Sequence, residues 1–243
     1  MRALSTAELM AVWEFAVGQP AAHRALTFLA AAAPDEAAAR ETAQLSLGES
    51  DALLLAWREV IFGPQLPALA SCPACAEKLE LSLETAALRI APEMPPEQVF
   101  DLSLGEWQVR FRLPTNLDIA SLELEADDET RRRQLLACCV IEAHRPGAPV
   151  APEALPPEVV AAIAARMAEA DPQAELQLTL TCPECAHQWA SALDVVSFLW
   201  SEINAWAVRI LNEVHILASA YGWREADILA LSLARRAAYL DLA

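Results

Sequence analysis

Cys72-Pro73-Ala74-Cys75 and Cys182-Pro183-Glu184-Cys185 share one Cys-Pro-x-Cys spelling. A Cys-x-x-Cys turn aims two thiolates at one tetrahedral metal, so the two turns together supply a four-thiolate site. The flanks agree. Lys78-Leu79-Glu80-Leu81-Ser82-Leu83-Glu84 follows the first turn, Glu175-Leu176-Gln177-Leu178-Thr179-Leu180 precedes the second, and His187-Gln188-Trp189-Ala190-Ser191-Ala192-Leu193 follows it. All three alternate apolar and polar residues as half-buried strands do. Two such turns on hairpin-like strands predict a zinc ribbon holding one structural Zn2+ per chain through Cys72, Cys75, Cys182 and Cys185. The alternative is two independent metal sites or two disulfide pairs, and the matched spelling and flanks favour the shared site.

Compact ribbons keep their two Cys pairs about 15–20 residues apart. Here the 106 residues 76–181 intervene, so a folded unit is inserted between the turns. Loop-closure entropy grows only with the logarithm of length, so a metal clip across so long a loop is expected to be strongly stabilising.

Of the 243 residues 55% are hydrophobic, enough for a sizeable core, and the formal net charge is −17. That charge disfavours binding to a phosphate backbone, which requires clustered cations. The turns themselves carry Glu77, Glu80, Glu84 and Glu184 against Lys78. Six cysteines arranged as metal pairs plus Cys138-Cys139 suit a reducing cytosol. Cys138 and Cys139 read as buried small hydrophobes within a helical apolar run. The N-terminus lacks the pattern of a signal peptide, and no apolar run reaches the length that spans a membrane.

Alanine-rich helices are expected over the first third. One starts at a Ser5/Glu8 capping box and ends near Gly18, a second covers Ala21 to Ala33, Asp35 caps a third, and Ser50 or Asp51 opens a fourth. In this fourth helix Leu53, Leu54, Trp57, Val60 and Ile61 form a core face. The Pro-rich stretch from Ala91 to Glu97 is expected to be irregular. Trp107 to Leu113 alternates as a strand, Thr115 or Asn116 caps a helix through Leu124, and Asp127 to Glu129 places negative charge at the start of the next. Arg131-Arg132-Arg133 reads as an ion-paired face beside those acids. Glu158 to Ala170 is a further helix, so the insertion is expected to be mostly helical with one or two strands.

Val196, Leu199, Ile203, Trp206, Ile210, Val214 and Leu217 step by three and four along a long final helix. Gly222 ends it in a left-handed cap, and a short helical hairpin follows. The expected architecture is mainly α with a small β zinc-ribbon core. It comprises an N-terminal helical region (1–66), a ribbon-like unit (67–194) split by a helical insertion (about 89–173), and a C-terminal long helix plus hairpin (195–243).

A four-cysteine site is coordinatively closed and cannot activate water. His23, His144, His187 and His215 are scattered, and neither a glycine-rich phosphate loop nor a nucleophile elbow is present. The chain therefore reads as non-enzymatic. Phe198, Trp200, Trp206, Tyr221 and Trp223 are candidate anchors for a protein partner, since large aromatics dominate interfaces as well as cores. Arg235-Arg236 on the last helix leaves a helix-turn-helix as the alternative, a zinc-ribbon regulator touching nucleic acid through its C-terminal helices.

The order Asp51-Ala52-Leu53-Leu54-Leu55-Ala56-Trp57-Arg58, Phe62-Gly63-Pro64, Cys72-Pro73-Ala74-Cys75, then Arg112-Leu113-Pro114-Thr115 with Asp118, resembles the baseplate hub assembly proteins of T-even-type phages and of phage-tail-like contractile injection systems. Glu213-Val214-His215, Leu217-Ala218, Tyr221-Gly222-Trp223, Ile228-Leu229 and Arg235-Arg236 with Tyr239-Leu240 resemble the tail of the injection-system members. The resemblance implies an assembly chaperone for the baseplate hub, with hub or other tail-assembly proteins as partners. The protein would be cytoplasmic or retained in the assembled particle. This chain departs from the usual knuckle by placing Ala76 and Ala186, rather than glycine, after the second cysteine of each turn.

Overall fold

The computed structural model describes residues 3–90, 99–123, 126–146 and 148–243. The stretch expected to be irregular, from Ala91 to Glu97, lies outside them. Helix α1 (Thr6–Ala16) starts at Ser5, whose hydroxyl accepts from the Glu8 N–H while the Glu8 carboxylate accepts from the Ser5 N–H. Helices α2 (Ala21–Ala32) and α3 (Glu36–Thr42) follow, the latter capped by Asp35.

Helix α4 (Leu47–Phe62) begins earlier than expected. Its cap is Ser46, not Ser50 or Asp51, because Ser46 has Glu49 three residues on and the two close a capping box. Leu54 and Trp57 are buried on its inner face as the spacing predicts, whereas Val60 is 46% exposed and lies off the core.

After α4 the chain forms a hairpin of β1 (Gln65–Ser71) and β2 (Lys78–Glu84), paired from Gln65↔Glu84 to Ser71↔Lys78. Strand β1 was not evident from the sequence because Pro67 interrupts it. A two-stranded sheet tolerates that proline, which can face the unpaired edge.

The insertion holds four strands where one or two were expected. It holds a four-stranded antiparallel sheet of β3 (Phe100–Leu104), β4 (Trp107–Phe111), β5 (Val140–Arg145) and β6 (Ala148–Pro149) in that order. Helices α5 (Asn116–Ser121), α6 (Asp128–Cys139) and α7 (Pro157–Ala170) accompany it. Phe111, Val109, Val159 and Ile163 centre a buried cluster of the insertion's own. The apolar run read as one helix through Ile141 divides instead. Cys139 ends α6, Val140 opens β5, and of the two adjacent cysteines only Cys139 is buried while Cys138 is exposed.

The chain returns through a 3-10 turn (Pro172–Glu175) to a second hairpin, β7 (Gln177–Thr181) and β8 (Gln188–Ala192). Helix α8 (Val195–Tyr221) closes on Gly222, at φ +67, and α9 (Glu225–Leu229) and α10 (Leu233–Leu240) form the terminal hairpin. Phe28, Leu29, Leu54, Trp57 and Leu66 pack with Leu199 and Ile203 in the main core, so α8 is enclosed by the N-terminal helices and the first hairpin.

A buried arginine fixes this arrangement. Arg58, 2% exposed, donates from Nε and Nη2 to the two carboxylate oxygens of Glu202 at 2.9 and 2.6 Å. Its Nη1 donates to the Gly63 carbonyl at 2.6 Å and to Thr85 Oγ1 at 3.3 Å. One guanidinium thus joins α4, the entry to the first hairpin, its exit and α8. A paired and hydrogen-bonded charge is the form in which an arginine tolerates such burial.

The insertion is anchored to α4 at Gly48, whose N–H donates to Asp171 Oδ2 at 2.9 Å. A Cβ at Gly48 would fall 1.9 Å from Asp171 Oδ1 and 2.8 Å from the Ala174 backbone nitrogen. Gln173, buried beside them, accepts from the Ile90 N–H and donates to the Leu88 carbonyl, tying the return of the insertion to its departure. Gly48→Ala is therefore expected to destabilise the protein by about 1–3 kcal/mol, since backbone as well as side chain must shift. Denaturant unfolding of the two proteins checks this.

Asp51 occupies the same joint. Burial, followed by the charges of Asp194 and Asp171, pushes its carboxyl up to about 7 from the usual value of 3.8. The folded chain thus holds this proton more tightly than the unfolded one. Asp51 carries no penalty below about pH 4, destabilises progressively as pH rises, and exerts its full cost above about pH 7. Asp51→Asn should leave stability nearly unchanged at pH 4 and raise it by on the order of 2 kcal/mol at pH 8. Urea midpoints across that range measure the crossover.

Candidate metal centre

The two Cys-x-x-Cys turns are built by the same hydrogen bonds. In the first, the Cys72 N–H donates to the Glu77 carbonyl at 2.8 Å and the Ala76 N–H to the Cys72 carbonyl at 2.9 Å. In the second, the Cys182 N–H donates to the His187 carbonyl at 2.9 Å and the Ala186 N–H to the Cys182 carbonyl at 3.0 Å. Each turn closes through a residue of left-handed backbone, Ala76 at φ +62 and Ala186 at φ +57. These are the positions where the sequence departs from the usual glycine, and the alanines take the glycine conformation.

The four sulfurs converge. All lie within 4.8 Å of one another, with Cys72 Sγ 3.7 Å from Cys185 Sγ and Cys75 Sγ 3.6 Å from Cys182 Sγ. The close pairs cross from one turn to the other, so this is one shared site rather than two. They are also far longer than a disulfide bond of about 2.05 Å. A tetrahedral metal with bonds of about 2.3 Å to sulfur requires sulfur–sulfur edges of about 3.8 Å, close to the two cross-turn spacings. Cys72 and Cys182 are buried with Leu79, against Ala70, Leu81 and Trp189, while Cys75 and Cys185 face outward.

The thiols share their protons unevenly. Burial disfavours the Cys72 thiolate, but the backbone N–H groups of Cys75 and Ala74 and the thiols of Cys75 and Cys185 outweigh it and hold Cys72 near 7. At Cys75 the Glu77 backbone N–H favours the thiolate, yet the neighbouring thiols of Cys185, Cys182 and Cys72, with burial, push it up to about 12. Cys185 is raised despite hydrogen bonds from the His187 backbone and the Cys75 side chain, because burial and the thiols of Cys182 and Cys72 oppose a further charge. A cation at the centre relieves this repulsion, so the donor set fits a thiophilic metal ion. The His187 ring is not part of the group and stacks on Trp189 at 6.1 Å.

The remaining candidates lie elsewhere. Phe198, Trp200 and Trp206 are half-buried against the main core, and the Arg24 guanidinium sits 4.3 Å over the Trp200 ring. Tyr221 and Trp223 stack at 4.7 Å, and Tyr239 meets both edge-on at 5.8 and 4.8 Å. Arg131 and Arg133 pair with Asp128 and Glu129 on α6. Arg236 is 1% exposed and its Nε lies 2.7 Å from Glu213 Oε2, which makes α9–α10 a hairpin clamped to α8. Sequence reasoning missed the Arg58–Glu202 and Arg236–Glu213 pairs. The signal for the first was Arg58 itself, four residues after Leu54 and adjacent to Trp57 on a helix otherwise lined with apolar residues.

The fold and site define a class: a protein of mixed helix and strand in which paired Cys-x-x-Cys hairpins meet across a folded unit between them. A family model described as T4 bacteriophage base plate protein matches residues 28–200, well over half of the chain and including both Cys pairs. The chain belongs to the T4 bacteriophage base plate protein family. No curated protein and no solved structure matches it.

A metal bound once by both turns has a simple signature. Purified protein should carry one metal ion per chain, and Cys75→Ser or Cys182→Ser should each abolish binding, as metal analysis would show. Two ions per chain, or retention in either variant, would refute a shared centre. The left-handed alanines give a second expectation. Ala76→Gly and Ala186→Gly should each stabilise the metal-free protein by about 1 kcal/mol, because left-handed backbone costs an L-residue roughly that much. Thermal melts in chelator read this out.

Proposed function

We propose that this chain is a non-enzymatic assembly chaperone or accessory component for the baseplate hub of a contractile tail-like particle, a phage tail or an extracellular contractile injection system. The observation that carries the reading is the family match, which brackets both Cys hairpins and the insertion between them. The metal is a structural Zn2+ held by Cys72, Cys75, Cys182 and Cys185, and the two hairpins form a split zinc ribbon. When bound, zinc would supply two positive charges and a fixed tetrahedral geometry without redox chemistry. Four protein ligands leave no open position for substrate or water, in keeping with a scaffold rather than a catalyst.

The domain division follows from this role: residues 1–66 and 195–243 flank a ribbon unit, 67–194, whose insertion at about 89–173 is offered on a clamped base. Partners are hub or other tail-assembly proteins. The protein acts in the cytoplasm during assembly or stays in the finished particle. No helix among the described residues is long and apolar enough to cross a membrane. A nucleic-acid regulator is the weaker reading, since net charge −17 opposes phosphate and Arg236 is consumed by Glu213.

Co-expression with each baseplate protein of the same gene cluster, followed by affinity capture, tests the proposal. At least one hub or tail protein should copurify and should lose solubility when expressed alone. A folded protein that captures none of them, yet retards a DNA or RNA probe at low salt, would overturn it.

A further inference from the structure

The terminal hairpin buries Ile228 and an arginine but leaves two leucines in solvent. Of the eight residues of α10, the buried one is Arg236, while Leu233 is 70% exposed and Leu242, just beyond the helix, is 77% exposed. The buried guanidinium is only partly satisfied. Its Nε meets Glu213, but among the described residues neither Nη1 nor Nη2 has a hydrogen-bond acceptor. A hairpin folded for stability alone would bury the leucines and expose the arginine, since a buried unpaired donor costs free energy and a buried leucine gains it. The same end of α8 shows further apolar surface, with Val208 at 56%, Leu211 at 38% and Ile216 at 38% exposed.

Charge separates this end from the rest. Residues 201–243 hold four of the 17 cations and five of the 34 anions, so they are almost neutral and a net charge of −16 resides elsewhere. An apolar, nearly neutral end attached to a strongly acidic body is suited to a partner with an apolar patch bordered by cations. The patch meets the exposed leucines, while the body steers the approach. Self-association fits less well, because a second copy would bring an equally acidic body with it.

Resting on the proposed role in tail assembly, we infer that the C-terminal half of α8 and the α9–α10 hairpin form the docking face for a protein of the particle whose contact surface is apolar and ringed by Lys and Arg. This face is distinct from the metal centre and, beyond Trp200, lies outside the family match. Binding covers Leu233 and Leu242.

The test uses the full chain against each purified baseplate protein of its gene cluster, immobilised one at a time. Wild type is expected to bind at least one, with an association rate that falls at least tenfold between 50 mM and 500 mM salt. Leu233→Glu/Leu242→Glu should weaken that binding at least tenfold with an unchanged melting curve, the two side chains being largely in solvent already. Val208→Glu is a second variant outside the hairpin and should act in the same direction. Unchanged affinity in both variants overturns the docking face and leaves the proposed function standing. Binding lost in the variants but indifferent to salt overturns the basic character of the partner. A wild-type dimer in light scattering that the double variant abolishes makes a second copy the occupant instead. Failure of wild type to bind any tail protein removes both the face and the function on which it rests.

Discussion

The fold depends on closing one long loop at a single point. Cys72 and Cys75 must meet Cys182 and Cys185 across residues 76–181, and the sulfur spacing of 3.6–3.7 Å shows that they do. Closing 106 residues rather than 18 adds only about 1.6 kcal/mol of chain entropy, because the cost grows with the logarithm of length. A folded unit with its own core can therefore occupy the gap at little extra expense in entropy. Its size is not what makes the architecture demanding. What matters is that both ends of the insertion return in register, and this is secured by contacts that involve no metal. Asp171 accepts from Gly48, Gln173 holds Leu88 and Ile90, and the Leu47 N–H donates to the Pro114 carbonyl. The thiols are brought together by the packing of the chain as well as by affinity for a cation.

Local physics and tertiary demand compete most openly at Ala76 and Ala186. An alanine at positive φ is strained, and both turns adopt it as the chain bends back so that the carbonyl of the next residue, Glu77 or His187, accepts from the N–H of the first cysteine. The strain is paired, so the two knuckles are equal in this respect. At Asp51 the conflict is electrostatic, with three carboxylates from α4, the end of α7 and the start of α8 brought close enough to raise one of them. The joint between insertion and scaffold is thus fixed by hydrogen bonds and opposed by charge.

The parts legible in the sequence were those whose cause is local. The caps at Ser5 and Asp35, the choice of Thr115 over Asn116, the negative charge from Asp127 at the start of α6 and the left-handed stop at Gly222 depend on residues a few positions apart, and all stand in the structure. The Cys turns were legible because the geometry of a tetrahedral site is written into their spacing. Strand β5 was not, since Leu135, Leu136, Cys138, Cys139, Val140 and Ile141 form one apolar run, and only pairing with β4 makes its second half extended. Strand β3 alternates at Phe100, Leu102 and Leu104 but is too short to stand out without its partner. The partners of the buried Arg58 and Arg236 were equally hidden. Nothing near an arginine in sequence states that a glutamate 144 residues later will neutralise it.

Helix α8 links these separate pieces. Its first half lies in the main core, where Glu202 holds Arg58 and Ile203 meets Leu54 and Trp57 through the same cluster. Its second half passes to a smaller cluster of Met10, Ala207 and Ile210, where Trp13 Nε1 donates to Asn204 Oδ1 at 3.0 Å. The segments on either side of the matched family region, the start of the chain and its end, therefore pack on each other along one continuous helix. The buried Arg58–Glu202 pair thus joins α8 to the entry and exit of the first Cys hairpin, while the insertion is held separately, through Gly48 and Asp171.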